Sequence, residues 1–310
     1  MTATPAAALR SHRWWWWVVA IVVVAGAVVG AVAWSVLAPR PAAAPVAASP
    51  AVTSTYTPTP SPTPTPTPTP TGFAANTAVY PLDALPQVDV YAVIPALPVD
   101  DDPRGAMTGD TVRAVTDRIP VFADPTAEPV AFLPRDYQFD GTTVPVVERQ
   151  DHWVRVLLTG REAVPSAGNP AQLSGWLRIQ DVEFSRADAT VEVGLTSRTV
   201  DIVHADGTRE RVADDFASGT ASTPTPVGRT FVMMVRVEPS FGYTRGHPLV
   251  YLGVQSPTLD GFGGAAVAVT AFHYHDARSG AISNGCLRLG PEAIDRLAQL
   301  PLGTAVYVNP

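Results

Sequence analysis

The residues best suited to chemistry lie near the C-terminus, in the stretch AFHYHDARSGAISNGCLRL at residues 271–289. This stretch holds the only cysteine of the chain, Cys286, and two of its histidines, His273 and His275. A thiol beside an imidazole can act as a nucleophile, because the imidazole removes the thiol proton and later returns it to a leaving amine. The alternative is that Cys286 is a small buried apolar residue, as most free cysteines are.

The surrounding sequence predicts the elements that carry these side chains. The apolar run before His273 predicts a strand, and His275 faces the same side because it lies two residues further on. The sequence GPEAIDRLAQL at residues 290–300 predicts a short helix with Pro291 in its first turn. Cys286 would then lie just before a helix N-terminus, whose dipole favours the thiolate. We expect Cys286 to be the nucleophile and His273 the base, with His275 as the alternative base.

A metal site is a second interpretation of the same residues. His273, His275 and Cys286 could be three zinc ligands, because imidazole and thiolate are ligands that zinc prefers. The glycine before the cysteine and the expected helix N-terminus fit a free thiolate better. We therefore expect no metal and no cofactor.

The elements around this stretch predict a mostly β fold. VEVGLTSRTVDIVHADG, residues 191–207, predicts a β-hairpin with alternating apolar residues. Strands are also predicted within residues 225–237, 248–256, 265–275 and 301–308, with the helix at residues 290–300 between the last two. The cysteine is thus carried by a β-rich unit with one terminal helix.

The N-terminus predicts attachment to a membrane. Residues 14–37 contain no charge and, as a helix, would be ~36 Å long, enough to cross ~30 Å of hydrocarbon. We assign residues 1–12 to a cytoplasmic tail and residues 13–37 to a transmembrane anchor, because arginines precede the run. A cleaved signal peptide is the alternative, but the apolar run is long for one. The Pro/Thr/Ala-rich residues 38–72 form an extended linker that holds the rest in the cell wall space.

The middle of the chain predicts a small β-barrel. Residues 73–111 are an uncertain linker or an extra strand, with VDVYAVI at residues 88–94 as the possible strand. Residues 112–187 contain short β-rich runs separated by Pro, Gly and Asp turns. Their pattern around Trp153 and Trp176 resembles a bacterial SH3-like domain, which implies contact with wall peptides. We expect both tryptophans to be core residues of the barrel.

Composition restricts the partners. The chain has 310 residues, a formal net charge of −7 and arginine as its only basic residue besides histidine. No basic stripe is present to neutralise phosphates, so a nucleic-acid partner is not expected. With a single cysteine, the chain has no partner for an internal disulfide. We expect a monomer.

Three sequence signatures resemble one known family. The stretch at residues 271–289 is similar to the active-site signature of L,D-transpeptidases of the YkuD type. TPVGRTF at residues 225–231 resembles the Thr-Pro-x-Gly turn of that family, and GTAVYV at residues 303–308 resembles its closing strand. Together they cover about residues 191–310, in the order that the family has them, and we assign residues 188–310 to a catalytic domain. The resemblance implies a β-sandwich-like catalytic fold that acts on peptidoglycan stem peptides.

The resemblance also implies a mechanism and the residues that perform it. Cys286 would attack the carbonyl of the third residue of a tetrapeptide stem, release D-alanine and form a thioester, which the amine of a second stem converts into a 3→3 cross-link. His273 matches the family's base. Ser283, Gly285 and Arg288 match the residues around the nucleophile, and Arg288 would support the loop or bind a substrate carboxylate.

Two positions depart from the family pattern. Asn284 stands where the family usually has histidine, so loop support is retained but a protonatable group is not. Tyr274 stands where a small residue often follows the base, and its hydroxyl would either help hold the oxyanion or fill space. Besides the transpeptidase, two interpretations stay open: an L,D-carboxypeptidase, in which water takes the acyl group, and a wall-binding protein with a decayed site.

Overall fold

The computed structural model describes residues 71–310, which lie in one of two compact units of the chain, Pro66–Pro310. The predicted tail at residues 1–12, the anchor at 13–37 and nearly all of the linker at 38–72 fall outside the described residues and stay predictions. Within residues 71–310, no helix is long and apolar enough to cross a membrane.

Residues 71–187, here called the first unit, form a small antiparallel β structure. Strands β6, β5, β4, β1 and β7 form one sheet in that order, and β2 pairs with β3 in a separate ribbon. The identification of this unit as SH3-like stays a prediction. The strands are β1 (Asp110–Ala114), β2 (Arg118–Val121), β3 (Ala131–Pro134), β4 (Val144–Arg149), β5 (Trp153–Leu158), β6 (Leu173–Arg178) and β7 (Val182–Arg186).

Aromatic residues fill one end of the first unit. Trp153 is fully buried, Trp176 is 9% exposed, and both pack around Phe122. The Trp153 indole Nε1 donates a hydrogen bond to the Ala74 carbonyl at 2.8 Å, so its polar atom is satisfied. Both tryptophans are therefore core residues, as predicted from the sequence.

Residues 88–94 do not form the strand that the sequence suggested. The segment instead crosses the first unit through single bridges, with the Val88 amide donating to Phe132 and the Ile94 amide to Arg161. Prolines at positions 86, 95 and 98 prevent a longer ladder, because proline lacks the amide that a ladder requires. Val88 and Ile94 are buried all the same, so the segment is part of the first unit's core and not a linker.

Residues 188–310, here called the second unit, are built on one long sheet. Its strand order is β10-β9-β8-β17-β12-β13-β14-β16-β11-β15. The predicted hairpin is confirmed as β8 and β9, and the predicted helix as α1. The elements are β8 (Ala189–Gly194), β9 (Thr199–His204), β10 (Arg209–Ala213), β11 (Ala217–Gly219), β12 (Gly228–Arg236), β13 (Leu249–Gln255), β14 (Val269–Tyr274), β15 (Gly280–Ser283), β16 (Leu287–Leu289), α1 (Pro291–Leu297) and β17 (Ala305–Asn309).

The second unit buries its core between two layers of this sheet and α1. Val191 on β8 and Ile202 on β9 share one cluster with Leu252 on β13 and Phe272 on β14, and all four are fully buried. Strands from opposite ends of the strand order can share a core only if the sheet folds back on itself. Ile294 of α1 closes the same core. The fold is mostly β and sandwich-like with one short helix, as predicted.

The two units share buried polar and apolar contacts. The Arg229 guanidinium on β12 forms a two-pronged ion pair with Asp100 of the first unit, with both N–O distances at 2.8 Å and both groups almost fully buried. Phe231 and Met233, also on β12, pack in the core of the first unit. An ion pair this buried is costly to break, because either charge alone would be left desolvated.

Candidate active site

Two neighbouring strands bring His273 and Cys286 together. Strand β14 pairs in parallel with β16, with Phe272 opposite Leu287 and His273 opposite Arg288. Cys286 directly precedes β16, so the thiol lies beside the end of β14 that carries the imidazole. Both side chains line the same two cavities, one of about 350 Å³ and one of about 260 Å³.

The expected helix N-terminus is not where Cys286 lies. The cysteine enters β16, and α1 begins only at Pro291. The helix therefore does not stabilise a thiolate, and the expectation of a lowered thiol pKa is wrong. Burial instead raises the pKa of the Cys286 thiol, opposed by a backbone hydrogen bond at Ala271 and by the Arg288 guanidinium.

His273 is set up to accept a proton at one nitrogen. Its ring is 5% exposed, and Nδ1 lies 2.9 Å from the Tyr274 carbonyl oxygen. A carbonyl can only accept, so Nδ1 carries the ring proton in the neutral form and Nε2 keeps a free lone pair. Burial lowers the pKa of His273 to about 4, against a backbone hydrogen bond that raises it. At neutral pH the pair is thus a neutral thiol and a neutral imidazole.

The turn before the thiol is fixed by Ser283. Its hydroxyl donates to the Cys286 carbonyl at 2.6 Å and accepts from the Gly285 amide at 3.2 Å. Its own carbonyl accepts from the Thr223 hydroxyl at 3.0 Å, which connects the turn to the loop after β11. Gly285 has φ of +111°, a conformation that residues with a side chain rarely adopt. Ser283 and Gly285 therefore shape the turn, and neither needs to contact substrate for that.

Replacing Gly285 by alanine is expected to strain this turn and slow acylation about tenfold, since a small displacement of a nucleophile is costly. The new Cβ would also meet the Pro224 carbonyl at 3.4 Å. Gly207→Ala is the matched control, because Gly207 has φ of +84° in open space at a distant hairpin. Both variants should lower the melting temperature, but only Gly285→Ala should slow acylation. Equal acylation rates in the two variants would contradict this role.

His275, Asn284 and Arg288 line the smaller cavity together with His273 and Cys286. The His275 ring lies 6.3 Å from the His273 ring, and its pKa is lowered by burial and by Arg288. The His275 Nδ1 accepts from the Ala277 amide at 2.9 Å, so this nitrogen is already engaged. Asn284 is exposed. The smaller cavity therefore carries the Arg288 guanidinium beside two imidazoles whose pKa values are lowered, and the guanidinium favours an anionic group.

Tyr274 does not belong to the site. Neighbouring residues of a strand face opposite sides, so Tyr274 points away from His273. Its hydroxyl donates to the Asp276 carboxylate at 2.5 Å, and its ring packs 5.2 Å from the ring of His247 in the core of the second unit. The possible oxyanion role of Tyr274 is corrected to a packing role.

A tyrosine that the sequence did not single out does reach the site. Tyr243 lies in the loop between β12 and β13, with its ring 5.3 Å from His273 and 5.5 Å from His275. It lines both cavities and stacks on Phe241. Burial raises the pKa of the Tyr243 hydroxyl, as does a thiolate at Cys286 once it forms, so the hydroxyl stays a hydrogen-bond donor. Its only sequence signal is an aromatic pair in a glycine-containing loop, FGYTRG.

The zinc interpretation has no geometric support in the described residues. Across residues 71–310, no group of three or more His, Cys, Asp or Glu side chains is placed to hold a metal ion. His273, His275 and Cys286 are therefore not a ligand set. The site presents one thiol, two imidazoles and the hydrogen-bond donors around them.

A thiol and a buried imidazole in one cavity are the two groups that thiol acyl transfer requires. Residues 188–308 match the sequence model of the YkuD family, described as an L,D-transpeptidase catalytic domain. The second unit of this chain is therefore an L,D-transpeptidase catalytic domain of the YkuD type. Domains of this family are cysteine-dependent acyltransferases that act on peptidoglycan stem peptides.

Comparison with solved structures returns proteins of the same name. An L,D-transpeptidase from Mycobacterium tuberculosis H37Rv is 15% identical over 51% of this chain and 91% of its own, with a TM-score of 0.29. One from Stackebrandtia nassauensis is 22% identical over 41% of this chain and 57% of its own, with a TM-score of 0.29. The catalytic domain of the E. faecium enzyme is 23% identical over 39% and 97%, with a TM-score of 0.26. At these values the likenesses add nothing to the family match. No curated protein matches the chain.

Proposed function

We propose that this protein is a peptidoglycan L,D-transpeptidase that forms 3→3 cross-links through a thioester on Cys286. The observation that carries the proposal is the pairing of the only cysteine with a buried histidine whose Nε2 is free to accept a proton. Both groups lie in one cavity of a domain from the family of L,D-transpeptidases.

In the acylation step, His273 Nε2 takes the Cys286 proton as Sγ attacks the carbonyl carbon of the third stem residue. The C–N bond to D-alanine then breaks, and the imidazolium gives its proton to the departing amine. A base of low pKa suits these two proton transfers, because the buried imidazolium readily gives its proton to the departing amine. The product is a thioester on Sγ.

In the second step, an amine of another stem attacks the thioester carbonyl. His273 accepts the proton that this amine loses, the C–S bond breaks, and the thiolate is reprotonated by the imidazolium. Water at the same position would give an L,D-carboxypeptidase instead. The two reactions differ only in the group that enters the cavity after D-alanine has left.

The smaller, basic cavity suits the leaving group. Terminal D-alanine carries a carboxylate, and Arg288 and His275 provide positive charge or donors beside the thiol. Tyr243 supplies a hydroxyl donor close to His273, where charge develops on the attacked carbonyl oxygen. Asn284, exposed at the rim, contributes an amide where the family usually has histidine.

We infer from the sequence of the rest of the chain that this chemistry takes place at the cell wall. Residues 13–37 anchor the protein in the membrane, with residues 1–12 on the cytoplasmic side. Residues 38–72 span the distance to the wall, and the SH3-like residues 112–187 accompany the catalytic domain there. The protein acts as a monomer.

The test is the intact mass of the protein after incubation with a stem tetrapeptide. We expect a mass gain equal to the tripeptide acyl group, together with free D-alanine. Protein whose Cys286 has been blocked with iodoacetamide is the control, because the chain has no other thiol. Folded protein that releases no D-alanine and gains no mass would contradict the proposal. Adding an acceptor amine separates cross-linking from hydrolysis.

A further inference from the structure

The larger cavity at Cys286 is not made by the catalytic domain alone. Its volume is about 350 Å³, and its lining includes Val90, Tyr91 and Phe139 of the first unit opposite His273 and Cys286. These residues lie outside residues 188–308, the part that matches the family. One wall of the reaction chamber therefore comes from a unit to which the family match assigns nothing.

Several contacts hold this wall in place. The Tyr91 and Phe139 rings meet edge to face at 5.5 Å, and the Arg236 guanidinium of β12 lies 5.8 Å from the Phe139 ring centre. The Val90 carbonyl accepts a hydrogen bond from the buried Gln255 side chain of β13 at 2.8 Å. The wall is thus fixed to β12 and β13 of the sheet that also carries β14 and the thiol.

The first unit also supports the facing wall, which is the loop between β13 and β14. Arg161 is 1% exposed, and its guanidinium donates to the carbonyls of Leu259, Asp260 and Ala266 in that loop, at 3.2, 2.8 and 3.1 Å. The loop carries Phe262 into the cavity. Three carbonyls of this one loop accept hydrogen bonds from the buried guanidinium, so Arg161 is a positioning residue for this wall.

Each of the two walls presents an aromatic side chain that no other part of the described chain covers. Tyr91 is 48% exposed and Phe262 is 57% exposed, and both line the cavity. The acidic group in the lining, Glu238, is already paired with Arg236 at 3.1 Å. Aromatic surface at the mouth of a cavity gains free energy when an apolar group covers it. The larger cavity therefore favours an uncharged, apolar part of a ligand, in contrast to the basic cavity on the other side of the thiol.

We propose that Tyr91 and Phe139 are specificity-determining residues of the site, and that the first unit is part of the substrate cavity. They contact the uncharged portion of the acyl donor on the side of the scissile carbonyl away from D-alanine. The contact with the natural acyl donor rests on the proposed function of Cys286. The effect of the two side chains on access to the thiol does not depend on that function.

The experiment measures alkylation of Cys286 in the full chain by two reagents, iodoacetamide and N-benzyliodoacetamide. The reagents react alike but differ in an aromatic group that the wall would contact. In Tyr91→Ala and Phe139→Ala, the rate with the benzyl reagent should fall about fivefold, while the rate with iodoacetamide stays within about twofold. Val79→Ala, in the same segment and 95% exposed, is the control and should change neither rate.

A second measurement uses the tetrapeptide. Both wall variants should raise KM about fivefold and leave kcat nearly unchanged, because the wall contacts bound donor throughout. Unchanged rates with the benzyl reagent in both variants would overturn the proposal. An equal fall with both reagents would also overturn it, since that indicates a general effect on the fold. If Phe139→Ala does not fold, the exposed Tyr91 carries the test. If the wild type forms no thioester but the benzyl rate still depends on Tyr91, the proposed function fails and the cavity wall stands.

Discussion

Replacing Cys286 by serine is expected to abolish acyl-enzyme formation, with a fall of at least about a thousandfold in the rate of D-alanine release. The change exchanges one atom, sulfur for oxygen, and leaves the size of the side chain almost unaltered. A serine hydroxyl holds its proton far more tightly than a thiol. Transfer of that proton to His273 therefore costs far more free energy than transfer of the thiol proton. The measurement is the rate of D-alanine release from a stem tetrapeptide.

The matched control for Cys286→Ser is Ser279→Ala, which removes a hydroxyl from the same C-terminal stretch. The Ser279 hydroxyl donates to Asp215 at the surface, away from both cavities. Its loss should leave the rate unchanged. Retained D-alanine release in a folded Cys286→Ser protein would show that the thiol is not the nucleophile.

Replacing His273 by glutamine is expected to lower the acylation rate about a hundredfold to ten-thousandfold at neutral pH. Glutamine can keep a hydrogen bond to the Tyr274 carbonyl but cannot accept a proton. The deficit should shrink as the pH rises, about tenfold per unit, because the thiol then ionises without a base. In the wild type, acylation should decline only as the pH falls towards about 4, where His273 becomes protonated. A pH–rate profile of both proteins checks this.

The same residue should make the fold sensitive to acid. Burial lowers the pKa of His273 from 6.5 to about 4, so the unfolded chain binds a proton at a pH where the folded chain does not. The stabilisation is fully present above pH 6.5 and is lost as the pH falls towards 4, by about 3 kcal/mol in total. Urea unfolding between pH 7 and 4 should show a smaller loss in His273→Gln than in the wild type.

His247→Gln is the matched control for the acylation rate and for the pH–rate profile. His247 pairs with Asp295 at 3.0 Å on the side of β14 that faces away from the thiol. Its replacement should change neither the acylation rate at neutral pH nor the shape of the pH–rate profile. If His247→Gln and His273→Gln behaved alike, a base role for His273 would be contradicted.

Local sequence was enough to predict the elements that carry the site. The strand ending at His273, the hairpin of β8 and β9 and the helix α1 follow from alternation, from turn residues and from proline in a first helical turn. The presence of Cys286 and His273 in one cavity was predictable as well, because the two lie close in the chain and match a family signature.

Local sequence was not enough where pairing over long distances decides the structure. Strand β16 has three residues and exists because it pairs with β14. Local sequence therefore predicted that Cys286 precedes a helix and is a thiolate. In the fold, Cys286 precedes a strand, and burial raises the pKa of its thiol. Residues 88–94 have the apolar content of a strand, but neighbouring prolines restrict them to single bridges. Tyr243 and Tyr91 reach the thiol from distant parts of the chain, and nothing in their own neighbourhoods indicates it.

The buried ion pair of Arg229 and Asp100 shows that the residues matching the family are fewer than the residues needed for a stable fold. A fragment cut at residues 188–308 would contain every residue of the family's active-site signature, but it would lack Asp100. The Arg229 guanidinium would then be left without its ion-pair partner. Phe231 and Met233 would likewise lack the core that now covers them. Replacing the first unit by another domain would therefore require substitutions in β12 as well. The part of the chain that must stay together to fold is therefore longer than the residues that match the family.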